Sequence, residues 1–260
     1  MKASLLRLAA PAAIFVVGMA GWQCLTAFGF VAPYLLPAPS QVLRRMAAVH
    51  TLLLAHSMVT GLEILLGFVV AVVVGVLLAA AVVYIRPFEA AFYPWIIATQ
   101  AIPKVALGPL FIVWLGLGLP PKVVIGALIA FFPILIDTVV GLKSIDRESI
   151  FLLQSMGARR WAIFRYAQLP TALPNLFAGM KVAITLATVG AIVGEFVGAN
   201  EGLGYVLLFA NGTVDTTLLF GALVMLSLLA VVFYLVVCLF EAVFIRWHVS
   251  RRGDVARVTM

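Results

Sequence analysis

Long apolar stretches dominate this chain, and short polar or proline-rich segments separate them. The apolar runs lie at about 8–28, 58–84, 90–116, 121–141, 172–198 and 217–245. Each is about twenty residues or longer, the length a helix needs to cross a hydrocarbon layer roughly 30 Å thick. The pattern predicts six crossings. Between the first two runs lies "GFVAPYLLPAPSQVLRRMAAVH". Pro39-Ser40 reads as a helix start, and Val42, Leu43, Met46 and Val49 form an apolar stripe behind it. This stretch is too short and too charged to span, so an interfacial helix is expected. The third run is interrupted by "QAIPKVALGP", where Pro103 and Pro109 remove backbone donors and Lys104 places a charge at depth. A helix broken there must face protein or a water-filled cavity. After the fifth run, the apolar part of "NEGLGYVLLFANGTVD" is too short to cross, and a short re-entrant or surface helix is expected.

Small residues recur along two spans. Gly67, Ala71, Gly75 and Ala79 stand four residues apart, and Gly190, Gly194 and Gly198 form a second stripe beside Glu195. Such stripes let another helix approach closely. The expectation is that two copies of the chain pack through these faces, with Glu195 as a pin between subunits in preference to a group facing the pathway.

Composition agrees with a bilayer as solvent: 65% of the 260 residues are hydrophobic and 10% are charged, and the mean hydropathy is +1.19. The apolar runs hold both Cys24 and Cys238, as buried hydrophobes rather than a disulfide. The N-terminus imitates a signal peptide, but its apolar run exceeds a usual signal core, so a retained helix is predicted. The net charge of +7 does not point to nucleic acid, because the basic residues fall between and beyond the spans. With the N-terminus inside, the inner segments hold Lys2, Arg7, Arg86, Lys143, Arg147, Arg159, Arg160, Arg165, Arg246, Arg251, Arg252 and Arg257. The outer loops hold only Arg44, Arg45 and Lys122. That asymmetry places both termini in the cytoplasm.

One inner segment is more than a topology signal. "SMGARRWAIFRYAQLP" at 155–170 packs three arginines and three aromatics between a glycine and a proline. A short helix is expected over 147–156, ended by Gly157 in the left-handed conformation. A second helix follows, with Trp161, Phe164 and Ala167 on one face, and Pro170 and Pro174 steer the chain into the fifth span.

Here the residues resemble a known family. Gly157, then nine residues, then Ala167-Gln168-Leu169-Pro170 is similar to the cytoplasmic signature of binding-protein-dependent ABC importer permeases. That signature begins Glu-Ala-Ala and ends Ile, any residue, Leu-Pro. This chain has Phe151-Leu152-Leu153 at its start and Ala167 at the isoleucine position. No role for a starting glutamate carries over. The segments at 36–42, 102–116, 157–183 and 194–207 resemble the nitrate/sulfonate/taurine subfamily, and the similarity spans roughly 33–248.

The resemblance implies an all-α membrane protein with a type I importer permease (MetI-like) fold of six transmembrane helices and a cytoplasmic coupling helix. Its parts would be a first helix at 1–30, an extracytoplasmic segment at 31–57, a core at 58–246 with coupling segment 146–170, and a cytoplasmic tail at 247–260. It implies a bacterial inner-membrane protein working with a second permease copy, a homodimer before a heterodimer. An ABC ATPase dimer would bind ATP and Mg, and an extracytoplasmic solute-binding protein would deliver the solute. The coupling residues would be Gly157, Ala158, Arg159, Arg160, Trp161, Phe164, Leu169 and Pro170. Arg159 and Arg160 have two readings, as partner contacts or as charges that hold the loop inside. Nitrate, sulfonates, taurine and pyrimidine-type vitamin precursors are the solutes implied.

Two other functions compete on the residues alone. A secondary, ion-coupled transporter needs ionisable groups at depth. Of Glu63, Lys104, Asp137, Lys181 and Glu195, only Lys104 reads as deep; Glu63 and Glu195 read as near outer ends, Asp137 and Lys181 as snorkelling inward. An intramembrane enzyme needs a histidine–serine or metal motif, and His50, His56 and His248 fall outside the spans. No Gly-x-x-x-x-Gly-Lys-Ser/Thr phosphate loop occurs, so any ATP chemistry belongs to a partner chain. Lys104, with Gln100 one turn before it, is the candidate pathway group; its alternative is pairing with a carbonyl freed by the broken helix. No metal ligand set is expected.

Overall fold

Leu, Ala, Val and Met in uninterrupted runs satisfy every backbone group within one helix, the arrangement a bilayer demands of a spanning segment. The computed structural model describes residues 2–245, and there the elements are helical. They are α1 (Lys2–Ala27), α2 (Pro39–Ala48), α3 (His50–Tyr84), α4 (Arg86–Ala98), α5 (Gly108–Leu115) and α6 (Leu119–Lys143). Then follow α7 (Arg147–Ser155), α8 (Arg160–Ile163), α9 (Leu169–Gly198), α10 (Leu203–Gly212) and α11 (Thr216–Phe244). The predicted tail at 247–260, with Arg246, Arg251, Arg252 and Arg257, lies outside the described residues.

Among the described residues, four helices are long and apolar enough to cross a membrane: α3, α6, the continuous stretch Arg160–Gly198, and α11. The stretches Pro87–Ala101 and Lys104–Leu115 are apolar enough only as a pair, and they are bent by 88° at the break between them. The bend falls where Pro103 was expected to break the run. With the 26-residue α1, these are the six apolar segments of the sequence pattern. α3 starts at His50, within the segment assigned above to 31–57, because Leu52, Leu53 and Leu54 are good helix formers and only Val49 separates it from α2.

The chain divides into two units. One comprises Met1–Val59 and Asn200–Ser227. In it, the Trp22 indole N–H donates to the Pro37 carbonyl at 3.1 Å, and the Trp22 ring meets Phe220 at 5.8 Å between centroids. Arg45 pairs with Asp215 at 2.7 Å. The Gly202 N–H donates to His56 Nδ1 at 2.9 Å. Asp215 Oδ1 also accepts from Thr217 Oγ1 and from the Leu218 N–H, which satisfies donors in the first turn of α11.

The second unit comprises Thr60–Ala199 and Leu228–Met260. Its core joins Ile64, Phe68 and Ala71 of α3, Ala127, Ala130 and Ile134 of α6, and Phe177, Ile184, Ala187 and Ala191 of α9. The α6–α9 pair is its most extensive helix contact. Gly190 makes that possible: a Cβ there would lie 2.5 Å from the Gly126 Cα. Outside this core the helices stay apolar. Val69, Val73 and Leu77 on α3 and Val231, Leu235 and Leu239 on α11 are exposed. Faces of that size are unstable in water and ordinary in hydrocarbon.

Candidate functional site

The basic segment is built by two local devices. α7 ends at Ser155, Met156 caps it, and Gly157 follows with φ +84°. The Gly157 N–H donates to the Gln154 carbonyl at 2.9 Å, and the Ala158 N–H reaches back to Leu153 at 3.0 Å. This paired closure satisfies two orphan carbonyls and needs a left-handed residue between them. The second device is a wide π turn over Phe164–Gln168, in which the Leu169 N–H donates to the Phe164 carbonyl. Pro170 has no N–H to give, and wide turns of this kind are one way a helix absorbs such a gap. Pro170 and Pro174, expected to steer the chain into the fifth span, lie within the start of that span. Arg160–Gly198 runs on as one span, and the prolines are accommodated inside it.

Along this segment Trp161 is 71% exposed and Tyr166 81% exposed. Phe151, Leu152 and Met156 are exposed as well. Arg159, Arg160 and Arg165 are exposed. Ile163 is buried, Ala158, Leu169 and Pro170 are half-buried, and so is Phe164, with its ring 5.4 Å from that of Trp161. Ile150 and Leu153 are half-buried, and Phe151 projects outward.

The ionisable residues at depth are arranged differently from the sequence reading. Lys122 was counted as an outer-loop cation. Instead its side chain is 7% exposed in the first turns of α6, and its Nζ lies 2.6 Å from Glu63 Oε1. Glu195 is fully buried and accepts from Thr60 Oγ1 at 2.6 Å. The pin therefore acts within one chain, between α3 and α9, and not between subunits. Lys181 does not snorkel: it pairs with Glu241 of α11 at 2.6 Å. Thr60, Lys122 and Glu241 were not singled out beforehand. The one available signal was that Lys122 immediately follows Pro120-Pro121, an N-terminal helix position rather than a loop.

Lys104 lies on a tight turn after Pro103, half-buried, with its Nζ 4.3 Å from the centroid of the Phe132 ring. This cation–π contact was not among the partners foreseen. Gln100, in the turn before Pro103, is exposed. The small-residue faces are filled within the chain. Gly67 and Gly75 meet α6 at Val123–Ala127 and Ile134, Gly194 meets Lys122, and Gly198 meets Ile112 and Leu117. They are not open for a second copy, because the helices of one chain already use them.

Among the described residues, these features define a multi-pass helical membrane protein. Residues 71–251 match the family described as "Binding-protein-dependent transport system inner membrane component". The chain is 42% identical to the riboflavin transport system permease protein RibX of Chloroflexus aurantiacus, over 88% of this chain and 86% of that one. It is 35% identical to the formylaminopyrimidine transport permease protein ThiX of Halalkalibacterium halodurans, over 92% and 95%. Identity is 25% to the putative aliphatic sulfonates transport permease protein SsuC of Bacillus subtilis, over 94% and 87%. Among solved structures, an inward-facing form of the MetNI methionine ABC transporter shares the fold, with TM-score 0.59 and 22% identity over 73% of this chain and 96% of that one. The chain belongs to the binding-protein-dependent permease family of ABC importers. It is an inner-membrane transport subunit, and ATP hydrolysis resides in a separate chain.

Proposed function

We propose that this chain forms half of the translocation path for a vitamin-type nitrogen heterocycle, of the riboflavin or formylaminopyrimidine class. The observation that carries the solute class is the gradient of identity, from 42% and 35% to the permeases named for those solutes down to 25% for the sulfonate permease. Both solutes contain a pyrimidine ring, which narrows the solutes expected from sequence to their vitamin-precursor end. A second copy of the chain completes the path. Two cytoplasmic ATPase subunits, holding ATP and Mg, power it, and an extracytoplasmic binding protein delivers the solute.

In this reading both termini are cytoplasmic, and the segment 146–170 docks on the ATPase. Exposed Trp161 supplies the kind of aromatic anchor that dominates interfaces, and Arg159, Arg160 and Arg165 surround it with charge. Lys104 at the bend lines the pathway, its ammonium held over Phe132. ATP drive also accords with Glu63, Glu195, Lys122, Lys181 and Glu241 being engaged in buried pairs, an arrangement that suits structure better than ion coupling.

The test is uptake of labelled riboflavin and formylaminopyrimidine into proteoliposomes holding the permease, its ATPase and the cognate binding protein. Uptake of either solute that requires enclosed ATP and ignores an uncoupler is expected, and Lys104→Ala should slow it at equal protein abundance. Uptake of sulfonate but of neither heterocycle would overturn the solute assignment. Uptake that follows an ion gradient without ATP would overturn the drive.

A further inference from the structure

α3 ends at Tyr84, where the basic segment joins the fifth span. The Tyr84 hydroxyl donates to Gln168 Oε1 at 2.8 Å. The Tyr84 ring also meets the Phe164 ring edge-on, at 5.9 Å between centroids and 84° between planes. Phe164 and Gln168 are the first and last residues of the π turn. One side chain from α3 therefore grips both ends of the irregular turn. Phe164 in turn touches Trp161, whose indole faces outward.

We propose that Tyr84 is a positioning residue that passes movement of the basic segment to α3. The proposal rests on the reading above that this segment docks on the ATPase. A push on exposed Trp161 and Tyr166 is delivered to a turn that lacks regular helical bonding and has two side-chain handles. Both handles are held by Tyr84. From Tyr84, α3 continues without proline to Glu63, about 32 Å away at helical rise. There Glu63 pairs with buried Lys122 of α6. The clasp thus links the outward-facing aromatics, through one rigid helix, to an ion pair that ties α3 to α6. Tyr84 is half exposed, so removing its hydroxyl opens no cavity and leaves the core intact.

The experiment uses the assembled permease–ATPase complex in proteoliposomes with binding protein and riboflavin. Tyr84→Phe, Tyr84→Ala, Gln168→Ala, Tyr84→Phe/Gln168→Ala and Trp161→Ala are compared at matched abundance. Three readouts are taken: ATPase retained on purification, ATP hydrolysed, and riboflavin moved per ATP. Tyr84→Phe and Gln168→Ala are expected to retain the ATPase fully and lower riboflavin moved per ATP by about 3- to 10-fold, the scale of one lost hydrogen bond. Their double variant should be no worse than either single, because both remove one contact. Tyr84→Ala should be lower still. Wild-type riboflavin per ATP in Tyr84→Ala would overturn the proposal, as would additive losses in the double variant. Loss of bound ATPase in Tyr84→Phe would overturn it too, by making Tyr84 part of the dock. Failure of the docking reading is seen separately, as full ATPase retention by Trp161→Ala.

Discussion

Replacing Lys122 by Met tests whether the buried ion pair holds α3 to α6. The ammonium lies 2.6 Å from Glu63 Oε1, with the two side chains 7% and 1% exposed. Glu63 Oε2 is also buried and has no hydrogen-bond partner. Removing the lysine charge therefore strands a carboxyl that water cannot reach. Breaking one partner of such a pair costs about 3–5 kcal/mol, because the remaining charge stays buried without compensation. Met keeps the length of the lysine stem, so packing of the Lys122 stem against Gly194 is preserved and the loss isolates the charge. For a chain of this size the melting temperature should fall by about 10 °C. Thermal unfolding of the purified permease in detergent measures it. Lys122→Met/Glu63→Gln removes both charges and should recover most of the loss, since a buried pair and a neutral isostere are often close in stability. A double variant as unstable as Lys122→Met alone would refute the reasoning and assign the loss to packing.

Gly157→Val places a β-branched residue at φ +84°; the strain of about 1–2 kcal/mol should misdirect the turn and abolish uptake while membrane abundance stays normal, as immunoblot and transport assays would show. Gly190→Val drives a Cβ to 2.5 Å from the Gly126 Cα, so α6 and α9 must separate; a loss of about 1–3 kcal/mol or more is expected on thermal unfolding, whereas Gly212→Ala, with nothing within 4 Å, should change little. Burial pushes the Asp215 carboxyl up, but bonds from Thr217, the Leu218 N–H and Arg45 outweigh it and hold it below the ordinary carboxylate value. A depressed carboxylate stabilises above its unfolded pKa and loses that contribution as pH falls through the folded one. Melting should therefore be insensitive to this group from pH 7 to pH 5, and Asp215→Asn should lower stability across that range; an equal melting temperature at pH 7 would contradict it.

The sequence by itself determined the features whose causes are local. Run length set the spans, because a helix must carry enough apolar residues to cross. Pro103 set the break between α4 and α5, and Gly157 set the end of α7, since each acts through its own φ or its missing donor. What the tertiary structure decided depends on how helices rotate and pack. Lys122 reads as a loop cation until α3 brings Glu63 to it from 59 positions away. Glu195 reads as a pin between subunits until Thr60, 135 positions away, donates to it. The small-residue stripes say that a helix will approach, but not which one; α6 occupies most of both. Pro170 and Pro174 read as residues that steer the chain into the fifth span; only the structure shows the π turn by which the helix continues through them. A lone residue shows its chemistry in sequence. Its partner is chosen only when the helices are assembled, because within the bilayer an unpaired charge costs more than any local preference offers.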